Sequence, residues 1–119
     1  MIEIMLPFPP SLNQYYRAVN NRVLISKRGR EFRKQVIDII SYQKLKRFDN
    51  QRLEMSIRLD PPDRRRRDLD NALKGTLDAL EKAGVYNDDG QIDKLSIERG
   101  EVVKGGALVV RIQAIENVV

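Results

Sequence analysis

Asp68 and Asp70 flank a single leucine directly after four consecutive arginines, Arg64–Arg67, in the stretch DRRRRDLDNALK that runs from Asp63 to Lys74. Two ionised carboxylates this close repel, and one of them tends to hold a proton. A divalent cation removes that conflict by neutralising both, and Mg²⁺ takes carboxylate oxygens together with water and substrate phosphate. Arginine grips phosphate bidentately and keeps its charge at any working pH. Together these residue types suit a phosphodiester site: guanidinium groups dock a nucleic-acid backbone, while a metal polarises the scissile phosphate and acidifies a bound water. The competing reading is a solvated, salt-bridged helix start whose acids cap the first turn.

The rest of the composition narrows the chemistry. The chain has no histidine and no cysteine, which excludes a histidine base, an imidazole zinc site, disulfides and thiolate ligands. A carboxylate–metal route needs none of these. Lys74 follows Asp70 by four residues, close enough on a helix face to assist at the phosphate. On spacing alone an ordinary i, i+4 salt bridge is the preferred account, worth a few tenths of a kcal/mol (about 0.3). A third carboxylate is available in NDDGQ, as Asp88 or Asp89, although acid-rich turns before glycine are common for conformational reasons. A helix over 69–83 would carry the chain about 22 Å from Asp68, and residues 84–89 return about 20 Å when extended. Asp89 is therefore just within reach in the same chain, the preferred arrangement, with a partner subunit as the alternative source. Tyr15 and Tyr16 are expected to serve packing or partner contacts rather than attack phosphate, and KGG (104–106) is expected to be a turn.

The elements that must position these groups are legible from periodicity. Ile2, Ile4 and Leu6 alternate as a short strand that PFPPS ends. LNQYYRAVNNR reads as a loop and VLIS as a brief strand, with Ser26 placed to cap a helix. Phe32, Val36, Ile39 and Ile40 recur at helical spacing in a segment from about Lys27 to Phe48. LEMSIRL alternates as a strand with Leu53, Met55, Ile57 and Leu59 inward, ended by Pro61 and Pro62. Leu69, Leu73, Leu77 and Leu80 form the stripe of a second helix that Gly84 ends. KLSIERGEVV and ALVVRIQAI read as two strands joined by KGG as a hairpin. The expected architecture is α+β: one domain over residues 1–119 with a mixed sheet and two main helices, in the order β-(β)-α-β-α-β-β.

The chain has 119 residues, 41% of them hydrophobic, which suits one packed core. No apolar run approaches the ~20 residues of a membrane span, and the first ten residues lack the features of a secretion signal. Net charge is +5, from 22 Lys+Arg against 17 Asp+Glu. The bases crowd into Arg17–Lys34 and Lys44–Arg52, and the acids come later. That balance favours a polyanionic partner, and the expected location is the cytoplasm.

LPFPPSLNQYYR, PDRRRRDLDNALKGTLDALEKAGVYNDDGQ and the late KGG stand in the same order and spacing as in the RusA-type Holliday junction resolvases of bacteria and their prophages, and the chain resembles that family over nearly its whole length. The resemblance implies a homodimeric endonuclease, dependent on Mg²⁺ with Mn²⁺ as a substitute, that places paired nicks in four-way junction DNA. It assigns Asp68, Asp70 and Asp89 as catalytic metal ligands and gives Lys74 a catalytic role, against the salt-bridge account. It assigns DNA contacts to Ser11, Leu12, Asn13 and Gln14, to Arg64, Arg65, Arg66 and Arg67, and to Asn71, Ala72, Leu73 and Lys74. Leu12 departs from an asparagine common in the family, and Asn87 also differs. Two other functions fit the bare residues: a non-catalytic basic DNA-binding module whose aspartates only cap a helix, and a ribonuclease or general nuclease.

Overall fold

The computed structural model describes residues 1–116. Its centre is a four-stranded mixed sheet of β1 (Ile2–Leu6), β4 (Leu53–Asp60), β5 (Ile92–Arg99) and β6 (Ala107–Ala114), in the order β1-β6-β4-β5. β4 runs parallel to β5 and antiparallel to β6, and β1 is antiparallel to β6. Alternation puts one side chain in two on the same face. The register therefore aligns Ile4, Val110, Ile57 and Ile97 in one row, and Leu6, Leu108 and Leu59 in the next. This face forms the core with Phe32, Val36 and Ile40 of α2 (Lys27–Gln43) and with Ala79 and Leu80 of α3 (Leu73–Lys82). The opposite face carries charged cross-strand pairs such as Arg111–Glu3 at 2.7 Å.

The α+β class and the two main helices are as the periodicity predicts, but four local features differ. The last two strands do not form a hairpin, because β4 lies between β5 and β6. A helix separates β4 from β5 in the chain, and that crossover returns β5 parallel to β4. Residues 100–106 then pass the end of β4 to reach its other side, with Val103 N–H bonded to the Pro61 carbonyl. The segment read as a loop holds a short helix α1 (Leu12–Tyr15) and a strand β2 (Tyr16–Val19), which forms a hairpin with β3 (Arg22–Ile25), the brief strand expected at VLIS. Its turn residues Asn20 and Asn21 both have positive φ, the requirement of a tight hairpin turn that asparagine tolerates. α2 stops at Gln43 rather than Phe48, where Lys44 adopts a left-handed conformation at φ 50°. Ser26 caps it as expected, accepting from Gly29 N–H at 3.0 Å.

The fourth difference bears on the site. The segment Leu69–Ala72 is a 3₁₀ turn, and the α-helix begins only at Leu73. A 3₁₀ turn rotates about 120° per residue against 100° in an α-helix. Leu69, Leu73 and Leu77 are consequently half-buried, and the fully packed face of α3 is Gly75, Thr76, Ala79 and Leu80. Gly84, at φ 81°, closes α3 with the Schellman pair of bonds, Val85 N–H to Leu80 O and Gly84 N–H to Glu81 O.

α1, α2 and α3 meet at Tyr15, which is fully buried. Its hydroxyl donates to Asp78 of α3, which also accepts from Arg33 of α2 at 2.7 Å. Burial pushes the Asp78 carboxyl up, but the bonds from Tyr15 and Arg33 outweigh it and hold the group below its usual range. Tyr15 is thus a packing residue, as its context predicts.

Candidate active site

The loop between Pro61 and Leu69 is built by Asp63. Its carboxylate accepts from Arg65 N–H at 2.9 Å and from the Arg67 guanidinium at 2.7 Å. These donors hold its pKa well down, at about 2. The Arg67 guanidinium also lies over the Phe8 ring, 5.5 Å from its centroid, which ties the loop to the first chain turn. Arg67 is therefore largely committed to structure. Arg64 and Arg66 are exposed and make no ion pair among the described residues, and Arg65 reaches Asp63 only at 3.9 Å.

A groove of ≈ 900 Å³ runs along one side of this loop. The first loop lines it through Phe8, Ser11 and Gln14, and the arginine loop through Arg65, Arg66, Arg67 and Asp68. Asn71 and Ala72 line it too. A second depression of ≈ 420 Å³ shares Arg65, Arg66, Arg67 and Asp68 with the first and takes in Arg64 as well. The structure thus gathers most of the residues expected to touch DNA. Leu12, Asn13, Leu73 and Lys74 line neither hollow, although Leu12, Asn13 and Lys74 are exposed nearby. Arg99, at the end of β5, lines both depressions, and Arg28 of α2 lines the larger.

Asp68 occupies the cap position of the 3₁₀ turn, yet its side chain makes no capping bond. Neither its carboxylate nor that of Asp70 has a hydrogen-bond or ion-pair partner among the described residues, and both are exposed. The i, i+4 bridge between Asp70 and Lys74 is likewise not formed; the 3₁₀ turn separating them changes the angular spacing that such a bridge relies on.

A second acidic group lies at the far end of α3. Oxygens of Glu81, Asp88 and Asp89 fall within 4.8 Å of one another. Glu81 Oε1 accepts from Asp89 N–H at 2.9 Å, and Asp88 caps the 3₁₀ turn Asp89–Gln91. Partial burial and the neighbouring Asp88 and Glu81 carboxylates raise the Asp89 pKa, while the Lys74 ammonium pulls it down. Asp68 and Asp70 are not members of this tight group. An all-carboxylate donor set, crowded enough to raise the pKa of Asp89, fits a hard divalent cation. Glu81 was not anticipated. The signal for it is Gly84, whose left-handed φ folds the chain back so that the last helical turn meets NDDGQ.

A basic groove bordered by partner-free carboxylates, with an acid cluster at the other end of the same helix, defines a protein suited to holding a nucleic-acid backbone beside a cation. Residues 7–113 match the family model described as Endodeoxyribonuclease RusA. A protein named crossover junction endodeoxyribonuclease from Enterobacteria phage HK97 is 46% identical over 116 residues, covering 98% of this chain and 97% of its own. Proteins of the same name from Enterobacteria phage 82 and Escherichia coli K12 are 41% and 40% identical over 114 residues, each covering 96% of this chain and 95% of its own. The chain belongs to the RusA endodeoxyribonuclease family.

Proposed function

We propose that the protein is a Mg²⁺-dependent, structure-selective endonuclease that resolves four-way DNA junctions by paired symmetric nicks. The family membership and the printed activity of its relatives support this reading. The observation that carries it in this chain is the pair Asp68 and Asp70: two carboxylates that cap nothing and bridge nothing among the described residues, beside Arg64 and Arg66, which are equally unpaired. That arrangement counts against the DNA-binding module whose acids only cap a helix. In the proposed site Asp68, Asp70 and Asp89 hold the metal, with Asp89 supplied by the same chain, which requires the turn that carries Asp89 beside Glu81 and Asp88 to meet the first two aspartates when the metal binds. A bound Mg²⁺ supplies Lewis-acid polarisation and a water acidic enough to attack phosphorus. Lys74 stabilises charge on the phosphate or gives a proton to the leaving oxygen. Arg64, Arg65 and Arg66 seat the backbone, and Arg67 fixes their loop.

A four-way junction must be cut at two related positions, which a two-fold dimer supplies. A homodimer acting in the cytoplasm completes the proposal; no helix among the described residues is long and apolar enough to cross a membrane. The test is incubation of the protein with Mg²⁺ and end-labelled junction, linear duplex and RNA. Paired nicks in the junction alone are expected, with light scattering giving twice the chain mass. Junction binding without nicking, indifferent to Asp70→Asn, would establish the non-catalytic module instead. Equal cutting of all three substrates would make it a general nuclease.

A further inference from the structure

The groove beside the arginine loop has walls that no part of the family motif supplies. Arg28 stands in the first turn of α2, and Arg99 ends β5. They lie 71 positions apart in the chain, both exposed, and both face the hollow that holds Arg65, Arg66 and Asp68. Arg28 has no hydrogen bond or ion pair among the described residues that would account for its position. Arg99 donates to the Arg67 carbonyl, so one part of its guanidinium braces the loop while the rest stays open. Arg99 lines both depressions together with Arg65, Arg66 and Asp68, so its guanidinium borders the same space as the loop arginines and the first aspartate. Among the described residues the carboxylates lining the larger hollow are Glu31 and Asp68. Five arginines, at positions 28, 65, 66, 67 and 99, outnumber them.

We propose that Arg28 and Arg99 are phosphate-binding residues of the nuclease, forming with Arg65 and Arg66 a groove that leads one DNA strand past Asp68. This rests on the junction-nuclease reading and adds the path of the strand to it. Guanidinium groups drawn from a helix, a loop and a strand end surround the space, as tracking a chain of phosphates requires. Each phosphate contact adds about 0.9 to the magnitude of the salt slope of binding.

The test measures junction affinity without divalent metal, as a function of salt, for the parent, Arg28→Gln, Arg99→Gln and Lys34→Gln. Lys34 is a control on the same helix: it pairs with Asp38, is highly exposed and does not line the groove. Arg28→Gln is expected to weaken binding about tenfold, the scale of one charge-assisted hydrogen bond, and to flatten the slope by about 1. Arg99→Gln should do the same, and Arg99→Lys, which keeps the charge, should recover most of the slope. Lys34→Gln should stay near the parent. Unchanged slopes for Arg28→Gln and Arg99→Gln, in a parent that nicks junctions normally, would overturn the groove assignment and leave the nuclease reading intact. An equal loss in Lys34→Gln would also overturn it, since net charge rather than position would then govern binding. A parent that neither binds nor nicks would instead sink the reading beneath it.

Discussion

Asp78 and the pair Asp68/Asp70 belong to one continuous helical segment, and their surroundings are opposites. Asp78 is saturated: Tyr15 and Arg33 both donate to it, and it locks three helices together. Asp68 and Asp70 have acceptor capacity and nothing to fill it within the described residues. The arginines divide in the same way. Arg67 is held by Asp63 and Phe8, whereas Arg64 and Arg66 extend into solvent. Ionic side chains that the fold consumes stabilise it; those it leaves unmatched are available for something outside the chain. Charge density alone does not distinguish the two classes.

Substitution can break this contrast at either end. The largest effect is expected from Asp70→Asn or Asp68→Asn. Nicking of a Mg²⁺-loaded junction should fall about 10³-fold, the loss of several kcal/mol of metal-supplied stabilisation. Thermal midpoint should hold, and junction affinity should equal or exceed the parent's because negative charge near phosphate is removed. A variant that cuts at the parental rate would remove those carboxylates from the metal site. Asp78→Ala should show the reverse pattern. It leaves Arg33 and the Tyr15 hydroxyl without their partner, and chemical denaturation should register a loss of about 2 kcal/mol.

Gly75→Ala probes the same node sterically. A Cβ there would stand 2.7 Å from Tyr15 Cδ2, and that ring is fully buried. A loss of about 1–2 kcal/mol on unfolding is expected, and a neutral result would show that the helices separate freely. Among the arginines, Arg66→Ala should flatten the salt slope of junction binding by about 1 without altering the melting temperature. Arg67→Ala should lower both affinity and melting temperature. The smallest effect concerns pH. The folded-state pKa of Asp63, about 2, lies below the ordinary carboxylate value of 3.8. Its stabilising contribution is therefore complete above pH 4 and fades as pH falls toward 2. Melting curves of the parent and Asp63→Asn should converge across that interval.

Much of this was readable from the residues in order. The periodic segments around Phe32–Ile40 and Leu53–Leu59 fall where burial requires, and the capping roles of Ser26 and Gly84 follow from local chemistry. Pairing of β5 with β4 rather than β6 was not readable, because strand order depends on the crossover of α3 and not on the turn at KGG. The 3₁₀ turn was hidden too, since a leucine stripe suits an α-helix equally well in sequence. Asp68, Asp70 and the arginines declared themselves by type and spacing. Glu81, Arg28 and Arg99 did not, since each looks like ordinary surface charge until the chain folds back.

Among the described residues β6 is the only strand that bonds to both β1 and β4, and it follows the other three sheet strands in the chain. A ribosome-bound chain that has reached Gly106 still has its opening strand without a neighbour and the middle of its sheet open on one side. Translation must pass Ala114 before this architecture can close, so a fragment released earlier carries the arginines and aspartates without the scaffold that aims them. A stop codon after Gly106 should yield a product lacking cooperative thermal unfolding, and a fragment that melted like the whole protein would contradict this dependence.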